Sequence, residues 1–249
     1  AEIYDKTPPP GILQVCQEHE VQVLPTTPTF LRMMLISGFV PELIPKSLKI
    51  ITYGTERMDQ PTLNELCDLL PNIDFRQTFG TSELGIVRVK SESRNSLFMK
   101  IGGEGVETRI INNVLQIRSQ SCMLGYLNAI SPFNNEGWYN TNDVVEEKNG
   151  YYKITGRIDD VINVGGLKFM PSEVERVALN FPNVSLVKVY GNNNPITGQH
   201  VESTVQPANP LTFDKKAFIS YLKKSLEPHM VPKKIVIESV EVGHRFKKN

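Results

Sequence analysis

The segment Gly156-Arg157-Ile158-Asp159-Asp160-Val161-Ile162-Asn163-Val164-Gly165-Gly166-Leu167-Lys168-Phe169-Met170-Pro171-Ser172-Glu173-Val174-Glu175 constrains the fold more than any other stretch. Val161, Ile162 and Val164 make a short apolar run of strand type. Gly165-Gly166 follows as a corner, since glycine takes backbone angles closed to other residues and lets other groups approach the main chain. Pro171 suits a first helical turn, and Ser172, Glu173 and Glu175 add capping or acidic character there. Ahead of the strand, Arg157 stands beside Asp159 and Asp160 as a charged joint leading into a new unit. An exposed turn with an ordinary surface ion pair is the plain alternative for that joint.

On either side of the joint the texture differs. Residues 12–23 read as a helix running into a strand. Pro25-Thr26-Thr27-Pro28-Thr29 reads as a turn, and a helix follows with Phe30, Leu31, Met33, Met34, Leu35 and Ile36. Strands are expected over 48–53 and 73–78, with a helix over 61–70 between them. That alternation points to an α/β sheet whose loops at strand ends hold a ligand. From Leu97 short strands take over, with hairpin turns at Asn112-Asn113 and at Lys148-Asn149-Gly150. They make a β-rich part, a small barrel or sheet. After Gly156 the order becomes strand, helix (171–180), strand (184–190), strand (about 200–206), helix (about 213–227) and strand (235–238), a compact α+β unit. The expected domains are therefore residues 1–157 and 158–249.

Composition narrows the function classes. Lys plus Arg and Asp plus Glu are 27 each, so the formal net charge is zero and no bulk field argues for nucleic acid. The three cysteines, Cys16, Cys67 and Cys122, are far apart and show no zinc spacing, which suits a reduced, cytoplasmic protein. No apolar run is long enough to form a transmembrane segment. Ala1 begins abruptly, and the chain reads as part of something longer.

Three clusters carry candidate chemistry. Gln77-Thr78-Phe79-Gly80-Thr81-Ser82-Glu83 offers an aromatic face, hydroxyls for a phosphate and a carboxylate for Mg²⁺; a polar turn with one core Phe is the alternative. Gly137-Trp138-Tyr139-Asn140-Thr141-Asn142-Asp143 ends on an Asp suited to two neighbouring ribose hydroxyls, or else is a turn with Trp138 in the core. Lys247, near the chain end, is either a phosphate-reaching cation or part of a solvated basic tail. His19, His200, His229 and His244 read as surface residues.

In this order the pieces resemble the adenylate-forming superfamily of acyl-CoA synthetases, peptide-synthetase adenylation domains and luciferases. Leu24-Pro25-Thr26-Thr27-Pro28-Thr29 is similar to its strand–turn–helix near the acyl pocket, and Tyr53-Gly54-Thr55-Glu56 to its adenine-side loop. Phe79-Gly80-Thr81-Ser82-Glu83 resembles its YGxTE motif, Gly137 to Asp143 its GWYxTGD, and Gly156 to Asp160 its hinge. The resemblance implies the C-terminal portion of a large AMP-binding domain (an α/β sheet with a β-rich barrel part), then a mobile α+β lid domain. It implies that Phe79 flanks adenine together with Gly54, Thr55 and Glu56, that Ser82 touches the α-phosphate, and that Glu83 holds Mg²⁺. Asp143 and Arg157 would hold the ribose, Asp159 would be the hinge pivot, Lys247 the adenylation lysine, and Gly165 and Gly166 would line the thiol tunnel.

Departures from the motifs are Phe79 for Tyr, Asn142 for Gly, and Phe246 for the Gly before Lys247. The Gly-rich phosphate loop with its lysine does not occur in these 249 residues. What is implied is a fragment of an AMP-forming acyl-CoA synthetase, inactive alone, whose missing N-terminal half is a partner. Its substrates would be ATP, CoA and a small carboxylic acid, with AMP released. A phosphopantetheine carrier protein as acceptor is the alternative within the family. A catalytically silent binding module of the same fold is the alternative outside it.

Overall fold

The computed structural model describes residues 8–37 and 43–240. Lys247 and His244 lie outside the described residues. The described chain divides into two compact units. One holds residues 13–28 and 43–159; the other holds 160–240 together with 8–12 and 29–37. The division between Asp159 and Asp160 is two residues beyond the boundary expected from sequence texture. Residues 29–37 group with the C-terminal unit, where the Arg32 Nη1 donates to the Ser185 carbonyl at 3.2 Å.

Along the chain, α1 (Pro9–Glu18) leads to β1 (Val23–Thr26), α2 (Pro28–Ile36), β2 (Ile50–Tyr53), α3 (Gln60–Leu69) and β3 (Asp74–Gln77). Strands β1, β2 and β3 form a parallel sheet in that order. Pro25 lies inside β1, not in a turn, and is tolerated because β1 is the sheet's edge. At the start of α3 the Asp59 carboxylate accepts from the Thr62 N–H at 2.9 Å, capping an otherwise unpaired donor.

A hairpin of β4 (Phe79–Thr81) and β5 (Gly85–Val87) follows. Then come β6 (Val89–Ser91), β7 (Met99–Ile101), β8 (Val106–Ile111), β9 (Val114–Ser119), β10 (Tyr139–Lys148) and β11 (Tyr151–Arg157). These six strands pair in the order β6-β7-β11-β10-β9-β8, an open antiparallel half-barrel with edges at β6 and β8. Both expected turns form: Asn112 and Asn113 take φ of 51° and 64°, and Asn149 and Gly150 take 53° and 76°. Two consecutive positive φ values define the turn whose twist matches a hairpin. Leu84, Val87, Met99, Ile101, Leu115 and Ile117 are the heart of this unit's core.

The C-terminal unit holds β12 (Ile162–Val164), β13 (Leu167–Phe169), α4 (Pro171–Leu179), β14 (Val184–Asn194), β15 (Gly198–Pro207), α5 (Lys215–Ser225) and β16 (Lys234–Ile237). Its sheet runs β13-β12-β15-β14, and β16 pairs in parallel with β15. The glycine corner proves to be a hairpin tip, because Val164 pairs with Leu167 across Gly165-Gly166. Helix α4 begins at Pro171, as its residue types require, and the Glu173 carboxylate accepts from the Met170 N–H at 2.9 Å. Val174 and Ala178 of α4 and Phe218 and Leu222 of α5 join Val187, Val189, Val201 and Val205 of the sheet in one core.

Two histidines depart from the surface reading. The His229 ring meets Phe169 edge-on at 5.4 Å. His200 bonds through Nε2 to the Glu202 carboxylate at 2.9 Å, and its Nδ1 is buried with no hydrogen-bond partner among the described residues. They are next but one on β15, so they share a sheet face. Glu202 is only 6% exposed; Asn192 donates to it at 3.2 Å and Lys234 lies 3.8 Å away. The His200 hydrogen bond chiefly holds this carboxyl below its ordinary value, against burial, with Asn192 and Lys234 adding to the same effect.

A lowered folded-state value means that Glu202 stabilises the unit fully above the ordinary carboxyl value of 4.5, and that this stabilisation fades as pH falls through the folded value. Urea unfolding should therefore show wild type more stable than Glu202→Gln at neutral pH, with the two curves converging as pH falls below 4.5. Parallel curves down to pH 3 would exclude Glu202 as a source of acid sensitivity.

Candidate functional site

In the first unit Gly54, Thr55 and Glu56 follow the carboxyl end of β2, and Thr78 that of β3, the position where open α/β sheets place their ligands. Gly54 follows β2 and is buried. A Cβ on Gly54 would stand 2.1 Å from the Thr78 Oγ1 and 2.8 Å from the Thr78 carbonyl oxygen, so the close approach of the two strand ends excludes any side chain. The Thr78 N–H closes that approach by donating to the Tyr53 carbonyl at 2.8 Å. A small cleft opens here, lined among others by Gly54, Glu56, Arg57, Thr78 and Met99. Arg57 Nη1 donates to the Thr155 carbonyl at 2.6 Å and joins this loop to β11.

Thr55, between Gly54 and Glu56, is exposed and has φ of 66°. A β-branched residue in the left-handed region is strained, because its Cβ crowds the following carbonyl.

Ser82 and Glu83 occupy the tip of the β4–β5 hairpin. Its anchor is Leu84, 0% exposed, whose N–H donates to the Thr81 Oγ1 at 3.3 Å. Ser82 is exposed. The Glu83 carbonyl accepts from the Met123 N–H at 2.8 Å, and its carboxylate accepts from the Tyr126 hydroxyl. The Tyr126 bond is the main cause that holds the Glu83 carboxyl below its ordinary value, against partial burial, with smaller help from the Thr81 and Tyr139 hydroxyls. Burial first, and the Glu83 charge second, push the Tyr139 hydroxyl up to about 12. The carboxylate is thus ionised at neutral pH and surrounded by donors.

Asp143 and Arg157 face one another across β10 and β11. Asn142 precedes Asp143 with φ of 59°, so the Asn that stands where the resembled motif has Gly adopts the left-handed angle itself. The pairing of β10 with β9 shifts between Asn140 and Val144, and its pairing with β11 shifts between Val144 and Val145. Thr141 stabilises the break. Its Oγ1 donates to the Leu115 carbonyl at 2.8 Å and accepts from the Asp143 N–H at 3.1 Å, while its carbonyl accepts from Arg157 Nη2 at 3.4 Å. Bulges of this kind re-aim a side chain from its strand.

Two aromatic side chains take places that the sequence left open. Phe79 is 8% exposed and packs with Leu84, Val87 and Met99, the place that the core-Phe alternative gives it. Having no hydroxyl, it meets no polar penalty there. Trp138 is not in the core: the Arg109 and Arg118 guanidinium carbons lie 4.2 and 5.0 Å from its ring centroid. Both arginines also pair with carboxylates, Arg118 with Glu107 at 2.6 Å and Arg109 with Glu136 at 3.3 Å.

In the C-terminal unit Gly165 and Gly166 are exposed with φ of 61° and 91°. The Gly166 N–H donates to Asn163 Oδ1 at 3.0 Å and the Gly165 N–H to the Thr197 carbonyl at 2.8 Å. Asp159 lies in the exposed 3₁₀ turn of Ile158–Asp160. Sequence reasoning missed Tyr126, Tyr139 as a partner of Glu83, and Arg57. Tyr139 lay inside a singled-out motif, whereas Tyr126 is 43 residues from Glu83 and carried no local signal.

Among the described residues no three His, Cys, Asp or Glu side chains cluster as a metal cage. Magnesium in nucleotide chemistry needs only one or two carboxylates, with phosphate oxygens and water completing its shell. The ionised Glu83 fits that requirement. No described helix is long and apolar enough to cross a membrane.

No family model matches the chain. A probable CoA ligase of Humulus lupulus is 32% identical over 127 residues, 49% of this chain and 24% of that protein. The ATP-bound MatB structure from Rhodopseudomonas palustris superposes with a TM-score of 0.83 at 20% identity, over 98% of this chain and 52% of that one. The amide bond synthetase McbA from Marinactinospora thermotolerans superposes with a TM-score of 0.82 at 19% identity, over 99% of this chain and 55% of that one. The chain therefore spans about half the length of these solved structures.

Thr55→Gly should raise stability by about 0.5–1 kcal/mol, since relief of left-handed strain exceeds the entropy cost of glycine. Thr55→Ala keeps a Cβ and should show no such gain. Thermal melts of the three proteins decide this, and equal melting temperatures for Gly and Ala would show that the loop holds no strain.

Proposed function

We propose, for a chain that belongs to the adenylate-forming superfamily, that it supplies the nucleotide-binding and lid portions of an AMP-forming acyl-CoA synthetase. The observation that carries this reading is one unit that holds Gly54–Glu56, the Glu83 hairpin tip and the Asp143–Arg157 cross-strand pair. In the whole enzyme a carboxylate oxygen would attack the α-phosphorus of ATP, and the bond to the leaving pyrophosphate would break. A CoA thiolate would then attack the acyl carbon and expel AMP.

The roles follow from the chemistry of each group. Gly54, Thr55 and Glu56 would bound the adenine, with Thr78 opposite. Asp143, a charged acceptor beside Arg157, would hold the ribose hydroxyls. Ser82 would meet the α-phosphate. Glu83 would hold Mg²⁺, whose contribution is to offset phosphate charge. Lys247 would offset the charge that develops as the carboxylate attacks. Gly165 and Gly166 would leave room for the thiol arm, and Asp159 would be the pivot between residues 1–157 and the lid at 158–249. A phosphopantetheine carrier as thiol donor is the second reading, and the bare Gly165-Gly166 tip suits either arm. No Gly-rich phosphate loop occurs in this chain, so alone it would bind nucleotide without turnover.

Calorimetric titration of AMP into the chain tests the reading directly. Binding is expected, and Asp143→Ala should weaken it by roughly tenfold, about 1.4 kcal/mol, through loss of charge-assisted bonds. AMP binding that ignores this substitution would remove the ribose assignment. No binding at all, or pyrophosphate exchange by the chain alone, would remove the larger reading.

In the full-length enzyme the two half-reactions should separate. Lys247→Ala should slow acyl-AMP formation by about 10²–10³ and spare thioester formation from supplied acyl-AMP. Gly166→Leu should do the reverse, since a side chain would fill the thiol path. Equal loss of both half-reactions in both variants would refute the division of labour.

A further inference from the structure

Residues 120–131 form a loop without helix or strand, and it carries an unusual burden. Leu124, Leu127 and Ile130 are 106%, 100% and 92% exposed, so apolar burial does little to hold them. Two hydrogen bonds tie the loop to the hairpin tip, and both end on one residue. The Met123 N–H donates to the Glu83 carbonyl at 2.8 Å, and the Tyr126 hydroxyl donates to the Glu83 carboxylate. Tyr126 is 46% exposed, so its hydroxyl rather than its ring makes the significant attachment.

We propose that Tyr126 is a positioning residue that fixes the 120–131 loop through the Glu83 carboxylate, so that occupation of that carboxylate by a divalent cation frees the loop. The cation half rests on the reading of Glu83 as a metal-binding carboxylate; the loop half does not. A phenol has one proton to donate and an ionised carboxylate only accepts, so the attachment runs in one direction. A cation on the carboxylate withdraws charge from its oxygens, which weakens them as acceptors, and places positive charge beside the hydroxyl proton. The two partners therefore compete, and linkage makes the competition reciprocal: the factor by which the cation loosens Tyr126 is the factor by which Tyr126 weakens the cation. Tyr139 also faces Glu83 but stands on β10, held by its pairing with Ile117. Its loss should leave the loop where it is.

Hydrogen exchange of the full chain reads the loop half, with the Met123 amide as reporter, and Mn²⁺ relaxation titration reads the cation half. Without cation, Tyr126→Phe and Glu83→Ala should each speed Met123 exchange by about tenfold, while Tyr139→Phe leaves it unchanged. Exchange in the β10–β11 pairing should stay at its wild-type rate in all three. Mn²⁺ should speed Met123 exchange in wild type and have no further effect in Tyr126→Phe, which should bind Mn²⁺ about fivefold more tightly. Unchanged Met123 exchange in Tyr126→Phe would overturn the proposal, and so would equal loosening in Tyr139→Phe. If Tyr126→Phe frees the loop but Mn²⁺ binds neither protein, the attachment stands and the metal role of Glu83 falls.

Discussion

The break in β10 at Asn142 is the constraint on which the first unit's candidate site depends. A regular strand from Tyr139 to Lys148 would keep the β9 register throughout. Instead the register slips between Asn140 and Val144, and Asn142 turns into the left-handed region. Such a slip leaves backbone groups without ladder partners, which is costly in a buried position. The buried Thr141 side chain bridges the gap by bonding Leu115 on one side and Asp143 on the other. Asp143 is then presented opposite Arg157 at the end of the half-barrel, next to the residues that precede the division at Asp159.

The same unit holds geometry that a purely stable fold would avoid. Thr55 sits at a backbone angle that its branched Cβ resists, and Glu83 concentrates charge at a hairpin tip. Strain and perturbed carboxyl groups gather where function needs a fixed arrangement, and they persist because neighbouring structure enforces them. Here the enforcement is visible. Gly54 against Thr78 fixes one end of the Thr55 loop, Arg57 on Thr155 fixes the other, and Leu84 seats the hairpin beneath Glu83.

The C-terminal unit solves a different problem. Its helices α4 and α5 cover the valine-rich face of the sheet, while a buried carboxylate, Glu202, lies on the opposite face. Burying one charge without partners would destabilise the fold by several kcal/mol, roughly the scale of a domain's whole stability. Asn192, His200 and Lys234 surround it: Lys234 is its partner in register on β16, and Asn192 and His200 are the cross-strand pair two positions along the β14–β15 ladder. The price is one ring nitrogen, His200 Nδ1, left without a partner among the described residues.

The sequence by itself determined whatever depends on neighbours along the chain. The alternation of α2, β2, α3 and β3, the Asn-rich hairpin turns, the proline at the start of α4 and the order of the motifs are all written in local residue types. Periodicity, capping and turn chemistry act over a few residues, so they are legible without a fold. Even there the strand through Pro25 and the hairpin at Gly165-Gly166 needed the sheet, because edge position and pairing belong to the partner strand. The tertiary structure alone decided the rest. It placed Phe79 in the core, set Trp138 against two arginines, buried Glu202 beside His200, and brought Tyr126 to a carboxylate 43 residues away. Burial and charge pairing depend on which distant segments share a face, and no local pattern of residues specifies that.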